Sequence, residues 1–179
     1  MSLTAATLVP GLILLALGLP LFLGHDGTTA AFRLFPRSKA AALVFFGVGS
    51  AWFLYRIWHL SPADFGDYRS LLFVAFAAIA ALSFRCAPDF LAVRGLCVLV
   101  LVAASTLIDA AYMQYAHPQR LFMVGFVYAA IALAILLGAQ PWRVRDFFEW
   151  LFARPARVRV FGACFAAYGL VLCGVAFTY

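Results

Sequence analysis

Residues 1–24 read MSLTAATLVPGLILLALGLPLFLG, without one charged side chain among them. A helix needs about 20 predominantly apolar residues to cross a bilayer, and this stretch is long enough. A cleaved secretory signal would carry Lys or Arg before the apolar run and a small-x-small cleavage site after it. No basic residue precedes this run, and no clean cleavage site follows it. Residues 3–24 are therefore expected to be a retained first membrane span, with Pro10 and Pro20 inside it.

Five further apolar segments lie at about residues 40–60, 70–85, 95–116, 121–139 and 160–179. The third, bounded by Arg69 and Arg85, is short, and its arginines are placed to snorkel to the two interfaces. The composition agrees with six spans. Hydrophobic residues make up 66% of the chain and charged residues 11%, with a mean hydropathy of +1.02. A soluble domain carries about 25% charged residues. A chain this poor in charge cannot present an adequate polar surface to water, so lipid must cover much of it. Aromatic residues at 17% suit lipid-facing helices with Trp and Tyr at headgroup level. No polar stretch is long enough for a second domain, and the expected fold is all-α: a polytopic transmembrane helical bundle forming one membrane domain.

Basic residues orient it. Ten of the 13 Lys and Arg residues fall in the first, third and fifth loops; the others are Arg56, Arg69 and Arg120. Positive charge gathers in cytoplasmic loops, so both termini are expected on the non-cytoplasmic side of an inner (plasma) membrane. The spans then form three out-in-out hairpins. Their cytoplasmic turns look alike: Phe32-Arg33-Leu34-Phe35-Pro36, Phe84-Arg85-Cys86-Ala87-Pro88 and Leu151-Phe152-Ala153-Arg154-Pro155. Tandem repetition would explain this, and so would the need of every such turn for an arginine and a helix breaker.

The fifth loop holds a further element, a short interfacial helix at about residues 141–154. Val144, Phe147, Phe148, Leu151 and Phe152 fall at i, i+3, i+4, i+7 and i+8, one helical face. Arg143, Arg145, Asp146, Glu149 and Arg154 lie mostly on the other, with Arg145 and Glu149 spaced for an i,i+4 pair. Pro141 suits the start and Pro155 the end. Such a helix would lie on the cytoplasmic membrane surface, anchoring the turn or offering a docking face to a partner.

Several function classes are poorly served. The formal charge of +6 is dispersed among apolar segments, so nucleic-acid binding is not expected. Cys86, Cys97, Cys164 and Cys173 form no CxxC pair and read as small packing residues rather than a disulfide framework or metal site. No phosphate loop, HExxH, GxSxG or dinucleotide fingerprint occurs, and Gly47 and Gly49 lie inside a span. No enzymatic activity and no cofactor are expected.

The polar residues within or beside the spans are few. Asp109 is acidic inside an apolar run, where a carboxylate costs a few kcal/mol and faces a partner or a cavity. Arg56 and His59 share its expected depth near the outer face, which makes Asp109, Arg56 and His59 the candidate polar site. An Asp109–Arg56 ion pair fixing helix register is the first reading, and a proton- or cation-handling site the second. His59 and His117 at the outer ends are weighed as haem ligands and read instead as interfacial residues, with His25 at the cytoplasmic end of the first span. Arg85, Asp89 and Arg94 cluster at the second cytoplasmic turn, suited first to solvent, with Arg85 and Arg94 able to bind lipid phosphate or a partner's carboxylate. Small residues four apart, Ala77 and Ala81, Gly162 and Ala166, Ala163 and Ala167, permit close helix approach.

A non-enzymatic scaffold or accessory subunit of an inner-membrane assembly fits best, with the bilayer and a membrane-protein partner or second copy as its contacts. A small oligomeric transporter or channel using Asp109 is the alternative.

Overall fold

Ser2 opens the first helix: its Oγ accepts from the Ala5 N–H at 3.3 Å, supplying one of the partners that a helix start lacks. Gly24 closes it in the left-handed conformation, φ 71°, with its N–H turned back to the Leu21 carbonyl. The computed structural model describes residues 1–24 and 26–179; His25 lies outside the described residues.

Among the described residues the elements are helical throughout: α1 (Leu3–Leu23), α2 (Asp26–Leu34), α3 (Lys39–Trp58), α4 (Arg69–Cys86), α5 (Leu91–Ala111), α6 (Arg120–Ala139), α7 (Trp142–Phe152) and α8 (Pro155–Ala176), with short 3-10 turns before α3 and α4. Six are long and apolar enough to cross a membrane: α1, α3, α5, α6, α8, and α4 continued back to Gly66.

Two helices differ in bounds from the apolar runs that predict them. α5 starts at Leu91 and ends at Ala111, so the run's last residues form the following loop. Met113 in that loop has a positive φ of 58°, which a continuing helix forbids. α8 starts at Pro155, because proline is pre-set for the first helical position. Arg157 and Arg159 therefore stand on its first turns. Sequence periodicity does not suggest α2 at all. Its inward positions are Thr28, Thr29 and Phe32, and two threonines hide the apolar stripe.

The three arginine–proline turns differ locally. Pro36 is buried in a 3-10 turn, Pro88 is exposed ahead of α5, and Pro155 begins α8.

The chain forms two compact units. The first comprises Met1–Arg33, Ala103–Leu133 and Arg145–Tyr179. Its main seam joins α1 to α8, which run antiparallel with glycines seven apart on each. A Cβ on Gly11 would come within 3.1 Å of the Gly169 carbonyl, and one on Gly18 within 2.6 Å of the Ala166 nitrogen and 2.8 Å of the Gly162 carbonyl. These positions admit only hydrogen, so the backbones touch directly. Without a hydrophobic force between helices in lipid, such close dispersion contact holds them together. Gly162 and Ala166 are buried on this seam, whereas Ala167 is exposed.

Around the seam, Leu3, Ala6 and Leu14 pack with Met123 and Val127 of α6, Leu172 of α8, and Ala104 and Ala111 of α5. Thr7 is fully buried there. Its hydroxyl donates to the Leu3 carbonyl at 3.0 Å and shares a 3.2 Å hydrogen bond with the Tyr179 hydroxyl. Left unmade, those bonds would cost about 1–3 kcal/mol.

The second unit comprises Leu34–Val102 and Ala134–Val144. Ser38 caps α3 by accepting from the Ala41 N–H at 3.2 Å. Gly49 and Gly95 bring α3 against α5 at their backbones, where a Cβ on Gly49 would stand 3.2 Å from the Gly95 carbonyl. α3 and α4 run antiparallel through edge-on ring pairs, Phe46–Phe84, Phe53–Phe76 and Trp58–Phe73. Cys97 packs with Val93 and Ala134.

Candidate functional site

α7 carries the most developed surface. Leu151 and Phe152 are buried with Leu21 of α1 and Val158 of α8, and Phe32, Phe148 and Phe161 close around them. Arg143, Arg145, Glu149 and Arg154 are all exposed, as the spacing predicts. Phe147, placed by periodicity on the inward face, lies at the boundary. It is 38% exposed and stacks on Trp150 with centroids 6.0 Å apart.

Within the polar face the charges pair locally. Arg145 reaches Asp146 Oδ1 from Nη2 at 2.8 Å and Glu149 Oε1 from Nε at 3.8 Å. The i,i+4 pair is therefore present, but the nearer partner is Asp146. That hydrogen bond first, then the charges of Asp146 and Glu149, push the Arg145 guanidinium above its ordinary range, so it stays charged at any working pH. Both carboxylates of α7 thus attend one arginine, and the outward excess of positive charge falls to Arg143 and Arg154.

Two other arginines finish the helix. Arg157 Nη1 donates to the Trp150 carbonyl at 2.8 Å, and its guanidinium carbon lies 4.4 Å from the centre of the Trp150 indole. Arg33, from α2, donates through Nη2 to the Phe152 carbonyl at 3.3 Å and stands 5.5 Å over the Phe152 ring. The last carbonyls of a helix lack internal partners and carry partial negative charge, so two guanidiniums satisfy both needs at once. Sequence reasoning counts Arg33 and Arg157 only as topological charges. Nothing in their spacing could pair them with α7, since one precedes it by over a hundred residues and the other lies beyond Pro155.

The second candidate group is distributed over both units. Arg56 is exposed on the last turn of α3, and His59 caps that helix. His59 Nδ1 donates to the Tyr55 carbonyl at 2.8 Å, and its ring lies 4.2 Å from the Tyr55 ring centre. Asp109 belongs to the first unit, exposed on the last turn of α5. It therefore sits near a helix end rather than deep in a span. A carboxylate there faces the negative end of the helix dipole, which favours contact with water or headgroups. His117, also in the first unit, sets its ring edge-on to Tyr179 at 5.4 Å. His59 and His117 are thus each engaged within their own unit. Arg120 donates to the Ala111 carbonyl at 2.6 Å and covers the Tyr115 ring, closing α5.

No protein-family model, curated protein or solved structure matches this chain.

Proposed function

We propose that this is a non-enzymatic, multi-pass membrane protein serving as a scaffold or accessory subunit of a larger inner-membrane assembly, with the outer face of α7 as its docking surface. The observation that carries this reading is the division of α7. Its inner face is locked by Leu151 and Phe152, and its end is capped by Arg33 and Arg157, while Arg143, Arg145, Glu149 and Arg154 remain exposed. A polar face held this firmly loses little entropy when a partner meets it. Asp109, exposed at a helix end, lends no weight to transport. Reversing charge at Arg143 and Arg154 is expected to reduce recovery of the native partner by about tenfold, with stability within about 0.5 kcal/mol of the parent. Comparing quantified, crosslinked complexes from the native membrane for parent and R143E/R154E checks this. An unchanged set of stoichiometric partners would overturn it.

In the same reading the six spans form three out-in-out hairpins, α7 lies on the cytoplasmic membrane surface, and both termini are on the far side. The uneven distribution of Lys and Arg supports it. So do Trp142 and Trp150, about half exposed at 47% and 52%, as suits rings at headgroup level. Single cysteines, in a background without the native four, test the orientation. Ser2→Cys and Thr178→Cys should react with an impermeant maleimide on intact cells, and Ala153→Cys only after permeabilisation. The reverse pattern would sink the topology.

A further inference from the structure

The loop joining α3 to α4 folds into a small cup. The Ser61 carbonyl accepts from the N–H groups of Asp64 and Gly66, each at 2.9 Å, and the Ser61 hydroxyl donates to Asp64 Oδ2 at 3.0 Å. The turn is so tight that a Cβ on Gly66 would stand 2.5 Å from the Ser61 carbonyl oxygen, so only glycine fits there. Phe65 before it takes a left-handed φ of 63°, which a phenylalanine keeps only where the surrounding bonds impose it. The cup so built has a volume of about 320 Å³ and is lined by Leu60, Pro62, Gly66, Asp67, Arg69 and Ser70. Ligand sites run from about 300 to 1,000 Å³, so this one suits a small polar group.

Asp67 and Arg69 carry opposite charge two residues apart, yet among the described residues neither is in an ion pair. A lone anion in the cup would be repelled by Asp67, and a lone cation by Arg69. A group carrying both charges answers both. Arg69 offers a guanidinium fork and Ser70 a hydroxyl, donors that match phosphate oxygens. The Asp67 carboxylate only accepts, so the positive end must donate, as a primary ammonium does and a trimethylated one cannot. The cup lies just past the end of α3, beside Trp58 and Tyr68, which are 51% and 61% exposed. Such rings stand at the level of lipid headgroups, where phosphate and ammonium occur together.

We propose that this cup binds a phosphoethanolamine group, with its phosphate held by Arg69 and Ser70 and its ammonium by Asp67. The inference rests on the reading of α3 and α4 as membrane spans, which sets the cup at headgroup level.

The test is native mass spectrometry of the whole protein, released from micelles holding equal amounts of phosphatidylethanolamine and phosphatidylcholine with the same chains. The parent should retain the ethanolamine lipid about tenfold over the choline lipid, as expected when one makes a charge-assisted hydrogen bond that the other lacks. D67N should erase that preference, and R69Q should lower retention of the ethanolamine lipid to the level of the choline lipid. Gly66→Ala keeps both charges but spoils the turn, and it should erase the preference too, in preparations whose helix content matches the parent. Free phosphoethanolamine, added to lipid-free micelles, separates the two sources of the group. Its retention would make a soluble molecule the occupant, and its failure to bind beside a retained lipid would make the occupant a headgroup. Equal retention of the two lipids with no binding of free phosphoethanolamine overturns the proposal. So does a preference that survives both D67N and R69Q, or that survives G66A. Protein that fails to float with phosphatidylcholine vesicles would instead sink the membrane-spanning reading.

Discussion

Replacing Gly162 with valine is expected to destabilise the protein by at least about 3 kcal/mol, the upper end of overpacking costs. A Cβ on Gly162 would press against the Phe22 nitrogen and stand 2.8 Å from the Gly18 carbonyl. Both are backbone atoms of α1, so no rotamer change can make room, and the seam must part along its length. The contrast is Gly174→Val on the same helix, where an added Cβ meets nothing within 4 Å. That change should alter stability by less than about 1 kcal/mol, since glycine and valine both fall below alanine in helix propensity. Reversible unfolding in mixed micelles measures both. Equal losses would show that the α1–α8 approach is not what the glycines serve. Gly18→Val should resemble Gly162→Val, and the double variant should cost less than the sum, because the two side chains intrude on the same contact.

Phe152→Ala is expected to release α7 with a cost of about 3–5 kcal/mol, the range for emptying a buried phenylalanine site. The ring is 9% exposed, packed with Leu21, Leu151 and Val158, and it supports the Arg33 guanidinium. One substitution thus removes packing and loosens a helix cap together. The effect should be local opening rather than global unfolding, because α7 docks on the edge of the first unit. Hydrogen exchange across residues 142–152 should accelerate, and trypsin should cut faster after Arg143 and Arg145 within α7. Trp150→Ala, at a half-exposed site, should cost about 1 kcal/mol, mostly from the Arg157 stacking. Unchanged protection in F152A would mean that Phe152 does not anchor the helix.

The candidate site was legible to different degrees. The exposed set Arg143, Arg145, Glu149 and Arg154 follows from a 3.6-residue period, which acts within one helix and needs no partner. Asp146 as the nearer partner of Arg145 did not follow, because rotamers decide between neighbours one and four residues away. Asp109 looked deep because the apolar run continues past it to Ala116; the helix stops at Ala111 because Met113 takes a positive φ. Hydropathy averages over a window and does not register where a backbone turns.

What the sequence determined by itself is the solvent and the class. Long apolar runs with few charges can satisfy their backbone polar groups in lipid only as helices, so composition and run length point to six helices long and apolar enough to cross a membrane without reference to any contact. What only the tertiary structure decided is pairing. The seam of Gly11, Gly18, Gly162 and Gly169 joins the first long helix to the last, and no local signal reports that separation. Small residues occur on several faces of these helices; Gly162 and Ala166 reach a neighbour, whereas Ala81 and Ala167 stay exposed. The caps that Arg33 and Arg157 place on α7 arise in the same way. Each depends on side chains that meet only once the chain has folded, because helix formation is local and helix packing is not.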